Sequence, residues 1–508
     1  MTGSGVLSKH SAEWLDGQPA DPARIWFHRP PGVVVLVQPT QKRSTAMLRN
    51  NVTRRKFLQG LAVTGLGALG AQVMAACAAP GPASSGGATE ATGASGEPAA
   101  TDVTLRVQVP PEAGQSVMPT IFGERFQQET GIKVIIEETI YSEIETKTQT
   151  GFISGTLQDL LYGHHRWLFI NYLKGIYMEI DDLLASDPPA DFDDIYPSVM
   201  AGNSWNGKNF SMPGVVHPGG NIAVSYNKQI LADKGLPEPQ EGWTISDWTE
   251  LAKAAADEAA GIFGLGFDSM SAMHYYSNFS RSWGSPDSTE SWIMDAEGTR
   301  LTFNTDLHRE IGAWYVDLLE SKVAPRKADY IEGSAGRLFV AGFSATHAST
   351  VGNVNSFLNQ IGGKFEMDAV LLPVGPEGRQ GTCYSGNQHM INSATKYPEE
   401  AWELLKLYSS TEAGISMVLD GKLQPNGHKS AWTDPKVNEI NRMFGVTDRL
   451  LTAGIEPYPM PKNTRFTEAN NTFQNEIDLI WEGEVSWEEH APVIEEKVQA
   501  ILDLPLPE

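Results

Sequence analysis

The sequence predicts an α/β fold, and three observations support this prediction. Short runs rich in β-branched residues alternate along the chain with stretches of helical periodicity, which is the pattern of strands connected by helices. The 508-residue chain is long enough after residue 101 for two domains of ordinary size. The sequence contains no internal repeat, so it does not have the pattern of a solenoid or a propeller. Because helices separate the strands, we expect parallel sheets.

The individual elements follow from local patterns, taken in chain order. A turn at Gly131 separates the first predicted helix from the strand after it. Ser246 is expected to cap a helix that begins beside Trp248 and runs to Glu258. A helix is expected at 119–129, and strands are expected at 103–109, 133–137, 159–162 and 223–226.

The segment 47–76 reads as an export signal. Arg54 and Arg55 form its charged region, an apolar stretch follows at 58–76, and small residues precede Cys77. The segment resembles a bacterial twin-arginine lipoprotein signal, so Cys77 is the expected lipidation site on the outer face of the membrane. A buried helix or a membrane anchor is the alternative, which four glycines in the stretch disfavour.

The residues on either side of this signal carry little folding information. Residues 1–46 form a doubtful N-terminal extension, because a start at Met47 would place the arginine pair at the usual position of a signal. After Cys77, the linker to residue 101 consists almost entirely of Ala, Gly, Ser, Thr, Pro and Glu. Such a composition predicts a flexible tether between the lipid and the folded body.

One glycine motif and the overall charge exclude some classes of partner. Residues 65–70 match the dinucleotide fingerprint, but they lie inside the cleaved signal and not between a strand and a helix, so we expect no cofactor. After residue 76 the chain has 29 basic and 59 acidic side chains, a net charge of −30. This charge repels nucleic acid and anionic lipid head groups.

The cysteine count excludes disulfides and thiolate metal clusters. Only two cysteines occur, and with Cys77 lipidated, Cys383 stands alone as an expected small buried residue. The adjacent pair His164 and His165 cannot easily direct both rings at one ion from a strand. No carboxylate or cysteine stands at a convincing ligand spacing, so no metal site is expected.

The order of motifs resembles the extracellular solute-binding proteins of ABC importers, in the large family that binds sugars and maltodextrins. The strongest piece is WNGKNFSMP at 205–213, and the similarity spans about residues 103–430. The other matching pieces, in family order, are FQQETGIKV at 126–134, Gly155-Thr156 with Asp159, Gly175 with IDDL at 180–183, SYNK at 225–228, KGL at 234–236, the segment 243–253, Phe339 with Gly342, Leu372-Pro373 with Gly375-Pro376, and PEEAW at 398–402.

The resemblance implies a two-lobe fold of the periplasmic-binding-protein type (type II), in which the lobes are discontinuous in sequence. By analogy, lobe one combines 102–215 with 343–378, and lobe two combines 216–342 with 379–508. Crossing strands near Val215, Gly342 and Arg379 would form the hinge. The implied protein is a monomeric, non-enzymatic receptor that delivers a small solute to an ABC permease.

Candidate ligand contacts combine aromatic rings with polar groups, as a sugar site requires. The resemblance places the loop after the strand at 159–162 in the cleft. For Trp167 a packed core position is an equal alternative. The candidates are His164, His165, Arg166, Trp167, His217, His274, Tyr275, Trp283 and Tyr384.

One departure from the family pattern affects the substrate. Many sugar-binding relatives carry a tryptophan soon after the strand that here reads 344–349, whereas this chain continues with Thr350 and Val351. A smaller or more polar sugar, a sugar acid, a polyol or another solute therefore remains open. A secreted enzyme is a second hypothesis, although the chain has no Gly-x-Ser-x-Gly or His-Glu-x-x-His motif. A non-transport scaffold lipoprotein is the third.

Overall fold

The computed structural model describes residues 101–219, 222–285, 289–295, 297–381, 383–453 and 461–506. The proposed extension at 1–46, the signal at 47–76 with Arg54 and Arg55, and the lipidation site at Cys77 lie outside the described residues. Within the described residues, no helix is both long enough and apolar enough to cross a membrane.

The strands fall into two main sheets and one short hairpin. The first sheet has the order β2-β1-β3-β11-β6, the second has the order β10-β7-β9-β8, and β4 pairs with β5. The strands are β1 (Thr104–Val109), β2 (Lys133–Glu138), β3 (Leu160–His164), β4 (Ser204–Trp205), β5 (Lys208–Asn209), β6 (Met212–His217), β7 (Ile222–Asn227), β8 (Phe263–Phe267), β9 (Ser344–Thr350), β10 (Met367–Leu371) and β11 (Ser385–Ile391).

Helices connect and cover these sheets. Within the described residues they are α1 (Val117–Thr130), α2 (Ile144–Ser154), α3 (His165–Leu173), α4 (Asp181–Ser186), α5 (Pro197–Gly202), α6 (Lys228–Asp233), α7 (Ile245–Ala255), α8 (Met273–Trp283), α9 (Asp306–Glu320), α10 (Ala335–Ala341), α11 (Asn353–Ile361), α12 (Pro398–Tyr408), α13 (Thr411–Leu419), α14 (Lys429–Thr433), α15 (Pro435–Ile440), α16 (Met443–Thr452), α17 (Phe466–Trp481) and α18 (Trp487–Leu502).

The first predicted elements are confirmed, because their signals are local. The strand, helix and strand expected at the start of the body correspond to β1, α1 and β2. Gly131 ends α1 in the left-handed conformation, at φ 76°, which a glycine adopts without steric cost. The strands expected at 159–162 and 223–226 correspond to β3 and β7.

The predicted cap of α7 is wrong by two residues. Thr244, and not Ser246, occupies the N-cap and accepts a hydrogen bond from the Asp247 amide, while Asp247 accepts one from the Thr244 amide. This reciprocal capping box satisfies two amides that the first helical turn would otherwise leave unpaired. Ser246 lies inside the helix instead.

The expectation of purely parallel sheets is only partly right. β1 pairs in parallel with β2 and β3, and β8 pairs in parallel with β9. In contrast, β11 is antiparallel to both β3 and β6, and β7 is antiparallel to both β9 and β10. β11 joins β3 and β6, and β9 and β10 join β7, only after long excursions of the chain, which adjacent sequence patterns do not reveal.

The two sheets define two lobes, and the expected partition between them requires correction. β9 and β10, which lie in the segment 343–378 expected in lobe one, belong to the second sheet. β11, expected in lobe two, lies in the first sheet, and α12 and α13 pack against that sheet. Of the segment 379–508, α17 and α18 pack against α8 and α9 of lobe two.

The crossings between the lobes follow from this topology. The chain passes from the first sheet to the second between β6 and β7, and it returns between β10 and β11, where Arg379 lies. The crossing predicted near Gly342 is wrong, because Gly342 joins α10 to β9 and both elements lie in lobe two. A crossing that the sequence did not predict connects α16 to α17.

The apolar residues form one core around the second sheet and another that joins the first sheet to β7, β10 and α11 where the lobes meet. The largest core surrounds the second sheet and includes Trp248, Phe279 and Phe473, each almost fully buried. Cys383 is buried in the same core, as expected. Burial raises the pKa of its thiol to about 12, so the thiol stays protonated.

Candidate functional site

A polar cluster lies where the two lobes meet. Lobe one contributes His164 and His165 at the junction of β3 with α3, and lobe two contributes His274 from α8 and Phe466 from α17. The His165 ring centroid is 5.9 Å from that of His274 and 5.4 Å from that of Phe466. Residues far apart in sequence thus converge across the cleft between the lobes.

The junction of β3 with α3 fixes the orientation of the histidine pair. His164 caps α3, and its Nδ1 accepts a hydrogen bond from the Arg166 amide at 3.3 Å. The Nδ1 of His165 lies 3.2 Å from the Ser385 hydroxyl. His164 is extended and His165 is helical, so their rings do not stack in parallel. The ring centroids lie 3.8 Å apart, and the ring planes make an angle of 43°.

Arg166 brings a positive charge to the cluster. Its carbonyl accepts a hydrogen bond from the Thr467 hydroxyl of α17 at 3.2 Å, which is a direct contact between the lobes. Its Nε is buried and has no hydrogen-bond partner. The guanidinium therefore lies at the interface with at least one unsatisfied donor.

His217 ends β6 and approaches the cluster from the edge of the first sheet. It is 7% exposed, and its Nε2 lies 2.7 Å from the side-chain nitrogen of Gln424. Its other nitrogen, Nδ1, is buried without a partner. One imidazole nitrogen thus holds the ring in place while the other is available to a ligand.

His274 and Tyr275 form the lobe-two side of the cluster, in the first turn of α8. Their ring centroids are 4.5 Å apart, and the Tyr275 hydroxyl donates to Asp268 at 3.3 Å. The Nδ1 of His274 is buried without a partner. Both side chains are half-buried, so the cleft retains contact with solvent on this side.

The electrostatics of the cluster keep its histidines neutral. Burial lowers the pKa of His164, His165 and His274 well below the ordinary value, and the positive charge of Arg166 lowers all three further. Burial lowers the pKa of His217 to about 3. At neutral pH these imidazoles therefore offer one donor and one acceptor each, and Arg166 supplies the positive charge.

Two of the predicted candidates, Trp283 and Tyr384, are not brought into the cluster. Trp167 lies in a small core with Tyr141 and Tyr162, and it also borders the cluster, because its ring centroid is 5.4 Å from that of His164 and its Nε1 is buried without a partner. Trp283 packs in the lobe-two core, where its Nε1 donates to Glu310 at 3.2 Å. Tyr384 is buried in lobe one.

The hydroxyl of Tyr384 explains why this ring faces away from the cleft. It donates to the Asn203 side chain and accepts a hydrogen bond from Gln388 at 3.0 Å. The ring also fills the space next to Gly202, where a Cβ atom would approach within 2.1 Å of it. The position of Tyr384 in the sequence, next to a predicted crossing, did not show that its ring packs into lobe one and not into the cleft.

Several residues of the cluster were missed from the sequence. Phe466 and Thr467 reach the cleft because α17 packs on lobe two after the third crossing. Ser385 and Gln424 each hold a cluster histidine by a hydrogen bond. None of them lies in a motif that indicates a binding role, because their positions depend on non-local packing.

The cluster is not arranged as a metal centre. Among the residues that the structure describes, no group of three or more His, Cys, Asp or Glu side chains could hold a metal ion. Three of the four histidines, His165, His217 and His274, instead have a buried ring nitrogen without a partner, which a hydrogen-bonding ligand could satisfy.

The sequence of this chain is similar to those of known binding proteins. The family model for bacterial extracellular solute-binding protein matches residues 110–415, which is more than half of the chain. A Brucella abortus protein that is named as a binding protein is 23% identical over 315 residues, covering 61% of this chain and 72% of its own.

Solved structures confirm the two-lobe fold. An ABC substrate-binding protein from Listeria monocytogenes, in complex with cycloalternan, matches with a TM-score of 0.68 at 16% identity, covering 79% of this chain and 99% of its own. An ABC transporter solute-binding protein from Agrobacterium radiobacter, in complex with ribitol, matches with a TM-score of 0.65 at 20% identity, covering 80% and 98%. Both matched proteins are described as binding proteins of ABC transporters.

Proposed function

Because this chain belongs to the bacterial extracellular solute-binding proteins, we propose that it is a receptor that binds a carbohydrate-like solute between its two lobes and delivers it to an ABC importer. The observation that carries the proposal is the convergence of unpartnered buried polar atoms at the cleft. These atoms are the Nε2 of His165, the Nδ1 atoms of His217 and His274, and the Nε of Arg166.

Unpartnered buried polar atoms are costly, at about 1–3 kcal/mol each, unless a ligand or water satisfies them. A carbohydrate supplies many hydroxyl groups that both donate and accept, which suits neutral imidazoles. Tyr275 adds a half-buried ring, and ring faces pack against the apolar faces of sugars. The cycloalternan and ribitol complexes of the structural relatives support the same solute class.

Closure of the lobes would distinguish the receptor with bound solute from the empty receptor. The contacts of His165 with His274 and Phe466, and of Thr467 with Arg166, join the lobes directly at the site. A solute that bonds to both sides stabilises this closed arrangement relative to an open one. The importer would then distinguish the loaded receptor by its shape.

The extracellular family implies a location outside the cytoplasm. Within the proposal, Arg54 and Arg55 direct export, and a lipid on Cys77 anchors the chain to the outer face of the membrane. The linker that follows lets the body move relative to that anchor. We further propose that the receptor acts as a monomer and leaves its solute chemically unchanged.

A binding and turnover experiment on the full chain tests this function. Thermal unfolding is followed with mono- and oligosaccharides, polyols and sugar acids, and each hit is then titrated by calorimetry. A solute at 100 times its dissociation constant adds about 2.7 kcal/mol of stability. We expect a shift with one carbohydrate class, a one-to-one stoichiometry and recovery of the unchanged compound.

A matched pair of variants locates the site. His274→Ala removes an unpartnered nitrogen at the cleft, so we expect affinity to fall about tenfold. His490→Ala removes a histidine that pairs with Glu476, away from the cleft, and should bind as the original chain does. Equal losses in both variants, or conversion of the solute, would contradict the proposal.

A further inference from the structure

Arg166 has no acidic partner within the described part of the chain. None of the ion pairs formed there includes its guanidinium, whereas the half-buried Arg465 just before α17 pairs with Glu468. Its Nε is buried without a hydrogen bond. A guanidinium in this setting normally meets a carboxylate or a phosphate, because its planar donors match those oxygens in pairs.

The carboxylates nearest to the cluster are engaged elsewhere. Asp268 accepts hydrogen bonds from His347 at 2.9 Å, Asn353 at 2.8 Å and Tyr275 at 3.3 Å. Glu145 lies 3.4 Å from the Thr467 hydroxyl, and burial raises its pKa. Neither carboxylate is paired with Arg166 by these contacts, so the guanidinium keeps its positive charge without a carboxylate partner of its own.

Three helices begin at this same place. His165 is the first residue of α3, His274 is the second residue of α8, and Phe466 is the first residue of α17. Their rings lie within 5.9 Å of one another in successive pairs, with His165 in the middle. The N-terminal turns of three helices therefore lie close together, and the positive ends of their dipoles favour negative charge nearby.

The first turns of these helices add little opposing charge. α3 and α8 have no acidic residue in the first turn, whereas such residues commonly occupy that position, and α17 has Glu468. Two side chains that are more than nine-tenths buried, those of His165 and His217, have unpartnered nitrogens, and they lie close enough for His217 to lower the pKa of His165. Charge, dipoles and free donors thus point to one kind of ligand.

We propose that the solute is an anionic carbohydrate whose carboxylate or phosphate binds Arg166 at the starts of α3, α8 and α17. The inference rests on the proposed receptor function and narrows its substrate class. The acidic group supplies the missing partner of Arg166. The neutral imidazoles of His165, His217 and His274 then bind the adjoining hydroxyl groups.

The test compares sugars that differ in one acidic group. Calorimetric titration of the full chain uses glucose against glucuronate and glucose 6-phosphate, and galactose against galacturonate. Each is repeated with Arg166→Gln, with Arg166→Lys and with Arg125→Gln. The last variant removes the same charge from α1, where Arg125 pairs with Glu129 and Glu412 on the surface.

We expect one acidic sugar to bind at least ten times more tightly than its neutral counterpart. The R166Q variant should bind it about 10- to 100-fold more weakly, as the loss of a charge-assisted hydrogen bond predicts, while R125Q is unchanged. The affinity of R166K for the acidic sugar should lie between those of R166Q and the original chain, since lysine keeps the charge and loses the planar donors. A preference for uronate or for sugar phosphate identifies the acidic group.

Other results would overturn the inference in distinguishable ways. Tighter binding of a neutral sugar, with R166Q unaffected, would refute the anionic solute and leave the receptor function intact. No binding of any sugar, charged or neutral, would refute both. If R166Q fails to fold, the comparison of matched sugars on the original chain and on R166K decides the question.

Discussion

Acidification should destabilise the folded chain through His217, because its imidazole is buried. Burial lowers the pKa of His217 to about 3 in the folded state, whereas an unfolded histidine has a pKa of about 6.5. The unfolded state therefore binds a proton first as the pH falls. Stability is complete above pH 6.5 and is lost as the pH falls from there toward 3.

The magnitude follows from the same two values. Between pH 6.5 and pH 3 the loss is about 1.4 kcal/mol per pH unit, so lowering the pH from 7.5 to 5.0 costs about 2 kcal/mol from this residue. His308 and His389, whose pKa values burial lowers to about 4, add losses of similar size. A measurement must therefore isolate His217 from these other histidines.

The assay is urea unfolding at both pH values, for the original chain and for His217→Gln. Glutamine does not titrate, and it can still form a hydrogen bond with Gln424. The original chain should lose about 2 kcal/mol more than the variant between pH 7.5 and pH 5.0. Equal losses would refute the reasoning, because His217 would then titrate as a solvated histidine and not as a buried one.

Three further predictions test particular contacts. Thr244→Ala should cost about 1 kcal/mol in urea unfolding, whereas Ser246→Ala should be close to neutral, because the capping box uses Thr244. Gly264→Ala should lower the melting temperature and cost about 1–3 kcal/mol, since a Cβ atom would lie 1.9 Å from the carbonyl oxygen of Ala252. Tyr384→Phe should cost about 1–3 kcal/mol of stability by leaving buried partners unpaired, yet calorimetry should show unchanged solute affinity.

The elements that sequence reasoning predicted well depend on neighbours along the chain. β1, α1 and β2 follow from alternation, helical periodicity and a glycine stop, and each of these signals acts over a few residues. The misplaced cap of α7 shows the limit of this approach. Thr244 and Ser246 are both good capping residues, and only the reciprocal bond with Asp247 separates them.

The partition into lobes could not be predicted in the same way. β9 is buried on both faces and pairs with β7 on one side and β8 on the other, which places it in the middle of the second sheet. Its sequence indicates a buried strand but does not identify the sheet that it joins. The analogy with relatives supplied the two lobes, while the strand pairing corrected their boundaries.

The candidate site also contains residues that local sequence predicts and residues whose positions depend on the packing of distant segments. His164, His165 and Arg166 were predicted because they directly follow a strand that ends at the cleft, and the structure brings them together with His217 and His274. Trp283 and Tyr384 were expected there because of aromatic content and sequence position. Both side chains turn into cores, since nothing local in the sequence specifies which face they occupy.

The position of the cluster links binding to the movement of the lobes. His217 is the last residue of β6 before the first crossing, Ser385 begins β11 after the second, and Phe466 begins α17 after the third. Each crossing therefore ends at a residue of the cluster, and a rotation of one lobe relative to the other must change the distances among these residues. A solute that bonds to His217, His165 and His274 together can do so in only one arrangement of the lobes. The binding energy thus acts on the segments that connect them, which couples occupancy of the cleft to its closure.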